Sequence, residues 1–360
     1  MMLVSRSPSS RRSIGGVAFA LGLTILWTAC SGSGGSPNSG SSDSAPTVFS
    51  SYDLTGAVTP VRDPSVMRQG NTYYVFGTDA DGPAVNGSLP IMCSSDSIAW
   101  SSCGYVFAAI PSWVTAQVPG VIGLWAPDIS YFNGLYHVYY AGSTFASNTS
   151  VIGLATNATL DQTDPSYQWV DQGEVLGSVS TDDFNAIDPN ILVDTDGGVW
   201  LDYGSYWSGI KQRQIDPATG FLLASNSTVN SLAFRPNVEY DPVEGTSLVH
   251  KGSYYYLFAS FDNCCAADPY QDTYNIVVGR GTSANGPFTD MNGTDMMQGG
   301  GTQLLAGNGI TWNGPGGETA YLDSQNGDII VFHAIQLPDG AAYLFVNSLS
   351  WPNDWPQIDP

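Results

Sequence analysis

Basic residues are scarce in this chain. Lys and Arg number 10 against 32 Asp and Glu, which leaves a formal net charge of −22 over 360 residues. Such a surface repels polyanions wherever salt does not screen it, so nucleic acid is excluded as a partner and an acidic polysaccharide backbone is disfavoured. Histidine is scarcer still. His137, His250 and His333 lie far apart, and the 5 cysteines form no CxxC or Cys/His ligand spacing, so a zinc or haem enzyme is hard to build from this chain. Long apolar runs are also missing. The apolar stretch at residues 17–27 is too short to span a bilayer but has the size of a signal-peptide core.

That stretch follows Arg6, Arg11 and Arg12 and runs into Trp27-Thr28-Ala29-Cys30, which is similar to a bacterial lipoprotein box. Trp27 stands where an aliphatic residue is usual, so cleavage by the ordinary signal peptidase is the alternative. Residues 31–47 are almost entirely Ser, Gly, Pro, Asn and Asp, a flexible tether that cannot bury a core. The expectation is a signal peptide over residues 1–30, a tether over 31–47 and a folded domain over 48–360. The domain would be exported, act as a monomer and touch the membrane only through a lipid anchor at Cys30. Export permits disulfides. Cys93 with Cys103 is expected to bridge a local hairpin, whereas the adjacent Cys264 and Cys265 read equally as a vicinal disulfide or as two buried thiols.

Aromatic residues are plentiful, at 12% with 10 Trp and 19 Tyr. Helical periodicity is rare, and short aromatic and β-branched runs bounded by Gly, Asn and Asp predict an all-β fold. One pattern returns. Asp63-Pro-Ser-Val leads to Gly70-Asn-Thr-Tyr-Tyr-Val-Phe76, Ala126-Pro-Asp-Ile to Asn133-Gly-Leu-Tyr-His-Val-Tyr139, and Asp188-Pro-Asn-Ile to Gly197-Gly-Val-Trp-Leu-Asp-Tyr203. A fourth copy runs from Glu244-Gly-Thr-Ser to Gly252-Ser-Tyr-Tyr-Tyr-Leu-Phe258, and a weaker fifth from Gly314-Pro-Gly-Gly to Gly327-Asp-Ile-Ile-Val-Phe332. The starts lie roughly 55 to 70 residues apart, room for one four-stranded sheet each. Radial repetition of such sheets predicts a five-bladed β-propeller.

In a propeller the innermost strands converge on one axis. The first repeat position carries Asp63, Ala126, Asp188, Glu244 and approximately Gly317. Acids crowded together destabilise a fold unless they are used, because like charges repel and burial penalises each of them. Asp-Pro is also a common turn opener. The shared register favours function, and carboxylates without a metal ligand set, a phosphate loop or a Cys/His nucleophile suit glycoside hydrolysis, where one must be ionised and another protonated.

The segments Val61-Arg-Asp-Pro-Ser-Val, Leu124-Trp-Ala-Pro-Asp128, Asn185-Ala-Ile-Asp-Pro-Asn190, Trp200-Leu-Asp-Tyr-Gly-Ser-Tyr-Trp-Ser-Gly-Ile210 and Tyr254-Tyr-Tyr-Leu-Phe-Ala-Ser-Phe-Asp-Asn-Cys-Cys265 resemble glycoside hydrolase family 43 in its endo-1,5-α-L-arabinanase branch. The resemblance covers everything after the tether. It implies a five-bladed propeller that inverts configuration, with Asp63 as general base, Asp188 as modulator and orienter, and Glu244 as general acid. It implies arabinan, a pectin side chain, as substrate. No cofactor is required for the chemistry. Family members often carry an imidazole in or near the last-blade Gly-Pro-Gly motif, associated with a hydrated calcium or other ion on the axis. Here that motif is Gly314-Pro-Gly-Gly317 with Asn308 in the preceding turn, so a structural calcium ion is an open expectation.

Trp125, Phe145, Tyr206 and Trp207 are candidates to line the sugar groove, with blade packing as the alternative. Asn185 and Ser205 are candidates for sugar hydroxyls or for turn caps. Asp128, on the same strand face as its repeat start, reads as a structural acid. An exo-acting α-L-arabinofuranosidase or β-xylosidase on the same fold is the nearest alternative, although no second β-sandwich domain follows before Pro360. A carbohydrate-binding propeller without catalysis is the other, and it gains nothing from three crowded acids.

Overall fold

The computed structural model describes residues 54–79 and 86–359. The signal segment, Cys30 and the tether lie outside the described residues. All elements below belong to the unit Ser44–Pro360.

Five antiparallel sheets follow one another along the chain as the blades of a propeller. The first holds β2 (Ser65–Gln69), β3 (Thr72–Phe76), β4 (Ser88–Ser94) and β5 (Ala99–Phe107), with β1 (Thr55–Gly56) added parallel to β5. The second holds β6 (Leu124–Phe132), β7 (Leu135–Gly142), β8 (Ser150–Asn157) and β9 (Val170–Ser178). The third comprises β10 (Asn190–Val193), β11 (Val199–Tyr203), β12 (Ile210–Ile215) and β13 (Asn230–Ala233). The fourth is β14 (Val243–Lys251), β15 (Tyr254–Phe261), β16 (Asn275–Gly281) and β17 (Thr302–Ala306), and the fifth β18 (Trp312–Tyr321), β19 (Ile329–Gln336), β20 (Ala342–Ser350) and β21 (Gln357–Asp359). Helix α1 (Ser112–Gln117) lies in the link from the first sheet to the second.

Each junction between blades has its own apolar cluster. Phe76 and Leu89 meet Val138 and Tyr140, and Ile152 and Leu154 meet Leu201 and Tyr203. Ile210 meets Leu257, Phe258 meets Phe332, and Val331 and Leu344 return to Val66 and Val75. Middle strands are therefore covered on both faces, which is why β7 and β19 read as nearly continuous apolar runs rather than as alternation. Each such Val, Leu or Phe contributes about 1.5–3 kcal/mol by leaving water. The ring closes between the fifth and first blades, where Val61 N–H donates to Ala342 O at 3.2 Å and Leu344 N–H to Val58 O at 2.8 Å. The turn from β6 to β7 shows the local logic. Asn133 and Gly134 have φ of 49° and 77°, the left-handed pair that a two-residue hairpin needs.

The repeat starts share one backbone conformation. Asp63, Ala126, Asp188, Gly245 and Gly317 all have positive φ, at 46°, 39°, 53°, 59° and 57°. The fourth copy is therefore offset by one from the sequence alignment: Gly245, not Glu244, is the counterpart of Asp63 and Asp188. Pairing slips on β6 between Trp125 and Asp128 and on β14 between Glu244 and Ser247, the signature of bulges that re-aim side chains at a strand end.

Two residues beyond four of the five left-handed positions, a polar side chain reaches the next blade. Ser65 Oγ accepts from Ile129 N–H at 3.1 Å, Asp128 Oδ2 from Ile191 N–H at 3.0 Å, Asn190 Oδ1 from Leu248 N–H at 2.8 Å and Ser247 Oγ from Ala320 N–H at 3.1 Å. These bonds run as a girdle from the first blade to the fifth. They give Asp128 the structural role read from its sequence position. Its carboxyl, also bonded by Ser65 and Asn190, is pushed up to about 7 by burial.

Candidate active site

Asp63 and Asp188 precede β2 and β10, and Glu244 is the second residue of β14. Gly245 N–H, immediately after Glu244, donates to Asp188 Oδ2 at 3.1 Å, so the one-residue offset sets these two acids side by side. Asp188 is held well above the usual carboxylate range by burial first, then by the charges of Glu244 and Asp63. Glu244 is pushed up to about 7, chiefly by burial, with the charge of Asp63 acting in the same direction. Hydrogen bonds from Ser205 and Tyr274 work against that rise. Ser205 Oγ donates to Glu244 Oε2 at 2.5 Å.

Asp63 is anchored differently. Its backbone N–H donates to His333 Nδ1 at 3.2 Å, and its Oδ2 accepts from Thr78 Oγ1 at 2.5 Å. The same Thr78 oxygen accepts from Ala126 N–H at 2.8 Å. His333 is 1% exposed, and burial pushes its pKa down to about 4, so the ring is neutral. Accepting at Nδ1 places its proton on Nε2. Gly317 leaves the space for this arrangement, since a Cβ there would lie 2.5 Å from Asp63 Oδ1 and 3.0 Å from His333 Nδ1.

Between the inner strands lies a cavity of about 30 Å³ lined by residues including Asp63, Asp128, Asp188, Thr246, Gly317 and Glu318. It has room for about two waters. Glu318 Oε1 and Thr246 Oγ1 are buried without a protein partner. Ser260 Oγ donates to the other Glu318 oxygen at 2.7 Å. Burial pushes Glu318 up to about 8.

The sequence around Gly314-Pro-Gly-Gly317 offers no imidazole, but the fold supplies one from the next strand, as His333 pairs with Gly316 across β18 and β19. Among the described residues no three His, Cys, Asp or Glu side chains converge to hold an ion. His333 and the unpartnered Glu318 Oε1 and Thr246 Oγ1 would leave most of the six or more oxygens that calcium wants to be supplied by water.

Ser205 lies against Glu244. Tyr206 is part-buried nearby with φ of 55°, its hydroxyl bonded to Asn263 Oδ1 at 3.2 Å. Trp125 directly precedes the left-handed Ala126 on β6. Asn185 is buried, and its Oδ1 accepts from Ser150 Oγ at 2.7 Å. Phe145 is 78% exposed on the loop after β7, and Trp207 is 40% exposed. Sequence reading did not find Thr78, Tyr274, His333 or Glu318 at this site. None occupies an acid-bearing repeat position, and Tyr274 and His333 reach the acids from second and third strands. A buried Glu directly after Gly317, in phase with Pro64 and Pro189, was the one available signal.

The glycosyl hydrolases family 43 pattern matches residues 58–356. An extracellular endo-α-(1→5)-L-arabinanase of Bacillus subtilis is 40% identical over 298 residues, 82% of this chain and 87% of that protein. An extracellular exo-α-(1→5)-L-arabinofuranosidase of Cellvibrio japonicus is 37% identical over 311 residues, 83% of this chain and 86% of that protein. The structure of a family 43 endo-arabinanase from Bacillus licheniformis superposes with a TM-score of 0.75 at 41% identity, covering 85% of this chain and 99% of the other. A pattern that runs through all five blades, with relatives this similar over four-fifths of the sequence, makes this chain a member of glycosyl hydrolase family 43.

Proposed function

We propose that the protein hydrolyses α-1,5-linked L-arabinan by endo action with inversion, with Glu244 as general acid and Asp63 as general base. The observation that carries this is the unequal treatment of the acids. Glu244 is kept protonated up to near neutrality by burial and by its acidic neighbours, while Asp63 is the more open acid, its side chain 28% exposed. In the reaction, Asp63 takes a proton from water as its oxygen attacks the anomeric carbon. Glu244 gives its proton to the departing glycosidic oxygen. Asp188, fixed by Gly245 N–H and itself driven toward the protonated form, lies beside the acid and orients it. Inversion calls for carboxyls about 6.5 to 9.5 Å apart across the scissile bond.

The substrate reading rests on the relatives named as arabinanases, and the −22 charge agrees with a neutral polymer. Trp125, Phe145 and Tyr206 are assigned to the sugar groove, with Asn185 and Ser205 as supports of its floor and its acid. Early products from linear arabinan should be oligosaccharides of mixed length. Arabinose alone from the outset would replace this with the exo reading, which the 37% identical Cellvibrio japonicus relative represents. Glu244→Gln should abolish cleavage of arabinan yet spare much of the activity on a substrate with an activated aryl leaving group, whereas Asp63→Asn should cripple both. Equal damage from both changes would show the roles to be misassigned.

Relatives named extracellular support export. We place the lipid anchor at Cys30 and expect a monomer. An unmodified mature N-terminus in mass spectra from a bacterial host would remove the anchor.

A further inference from the structure

Cys264 and Cys265, which sequence left open between thiols and a disulfide, are bonded to each other in the loop from β15 to β16. That loop reaches both sides of the active site. Arg62, next to Asp63, donates from Nη1 to Cys265 Sγ at 3.5 Å. Cys265 N–H donates to Asp272 Oδ2 at 3.0 Å, Asp272 Oδ1 accepts Tyr274 N–H at 3.2 Å, and the Tyr274 hydroxyl lies against Gly245, the residue after Glu244, 3.0 Å from where a Cβ there would sit. The fifth blade presses from the other side. A Cβ at Gly314 would lie 2.2 Å from Asp272 Oδ1, and one at Gly316 would lie 2.2 Å from the Tyr274 ring. Asp272 and Tyr274 therefore sit with no slack, and Cys265 holds its end of the relay with φ of 64°, a conformation non-glycine residues seldom adopt.

We propose that the Cys264–Cys265 bond is a positioning element for the general acid. It closes two neighbouring residues into an eight-membered ring and fixes the Cys265 N–H on Asp272, which seats Tyr274 against Glu244. The proposal rests on Glu244 being the acid. The groups facing Glu244 are Asp63 and Asp188 from the inner strands, Tyr206 from the third blade, and Asp272 and Tyr274 from the relay itself. Arg62 faces Asp272, and His333 faces Asp63. Of these, the disulfide places Asp272, whose charge raises the Glu244 pKa, and Tyr274, which lowers it more strongly. The tyrosine's hydrogen bond favours the ionised carboxylate, so its loss raises the Glu244 pKa and moves the alkaline limb of activity to higher pH.

The test uses the full-length enzyme carrying Cys93→Ser and Cys103→Ser. Dithiothreitol passes two electrons and two protons to the remaining bond, becomes a cyclic disulfide and leaves two thiols, which mass spectrometry counts. On linear arabinan, reduction should lower kcat about tenfold and move the alkaline limb up by about one pH unit, the worth of one charge-assisted hydrogen bond. An arabino-oligosaccharide with an activated aryl leaving group should lose much less. Reoxidation should restore the profile, and Cys264→Ser with Cys265→Ser in the otherwise unchanged chain should reproduce the reduced state. A bond that merely stabilises the loop would lower the active fraction with the pH profile unchanged, and that result overturns the proposal. So does finding both residues as free thiols in untreated protein. Glu244→Gln is measured alongside. If it fails to discriminate between leaving groups, the acid assignment has failed; if it discriminates and reduction shifts nothing, the disulfide proposal alone has failed.

Discussion

Replacing Glu318 with Gln should stabilise the protein, and by an amount that depends on pH. Glu318 is 2% exposed, one carboxyl oxygen has no protein partner, and burial moves its pKa from 4.5 to about 8. The folded-state pKa lies above the unfolded one, so the folded protein binds the proton more tightly. Stability is then greatest below pH 4.5 and is lost as pH rises toward 8. At pH 7 the cost is about 2.5 units at 1.36 kcal/mol each, or about 3 kcal/mol. Glutamine keeps the shape, accepts from Ser260 in the same way and never ionises. The Glu318→Gln enzyme should therefore match its parent near pH 4.5 and melt about 5 °C higher at pH 7, given an unfolding entropy of about 2.1 cal/mol/K per residue. Differential scanning calorimetry from pH 4.5 to 8.5 gives the comparison directly. A constant difference across that range would refute the reasoning. A variant less stable at pH 8 would do so more sharply, since it would mean that Glu318 is ionised and paired with a cation in the axial cavity.

Gly317→Ala places a methyl 2.5 Å from Asp63 Oδ1 at a φ of 57°, and kcat/KM on arabinan should fall at least about a hundredfold, in line with misplacing a catalytic group by about 1 Å; near-normal kinetics would mean that Asp63 is not held as described. Ser205→Ala removes a donor to the ionised form of Glu244, so the alkaline limb of a pH–rate profile should rise by about one unit, and a fall would reverse the proposed effect. Asp128→Ala strands donors from Ser65, Asn190 and Ile191 and should cost about 3 kcal/mol in urea unfolding. Its surviving folded fraction should keep the parent's leaving-group response.

The repeat was legible because each blade opens with the same left-handed turn and returns through an apolar strand, and both leave marks in composition. The offset of the fourth copy was not. Aligning acid with acid puts Glu244 over Asp188, whereas the backbone aligns Gly245 there, and a bulge of one residue leaves no trace in hydrophobic pattern. The acids themselves could be read, as could the structural place of Asp128. Tyr274 and His333 could not, because their closeness to Glu244 and Asp63 is made by the meeting of the fourth, fifth and first blades. No local period encodes a contact across 270 residues, such as that between Asp63 and His333. The pairing of Cys264 with Cys265 was left open for a related reason, since adjacent cysteines bond or not according to the loop that carries them.

The girdle of side chains passing from blade to blade makes the active site a property of circumference. From the first blade to the fifth each inner strand is indexed to the next one's backbone, as teeth on meshed gears are, so none of the first four can tilt without turning the next. The gap between Glu244 and Asp63 is then set by the number of blades and the angle each subtends. Loops above the ring can lengthen, shorten or change sequence and so alter which polymer enters. The spacing beneath them stays constant, as on a ruler bent into a hoop.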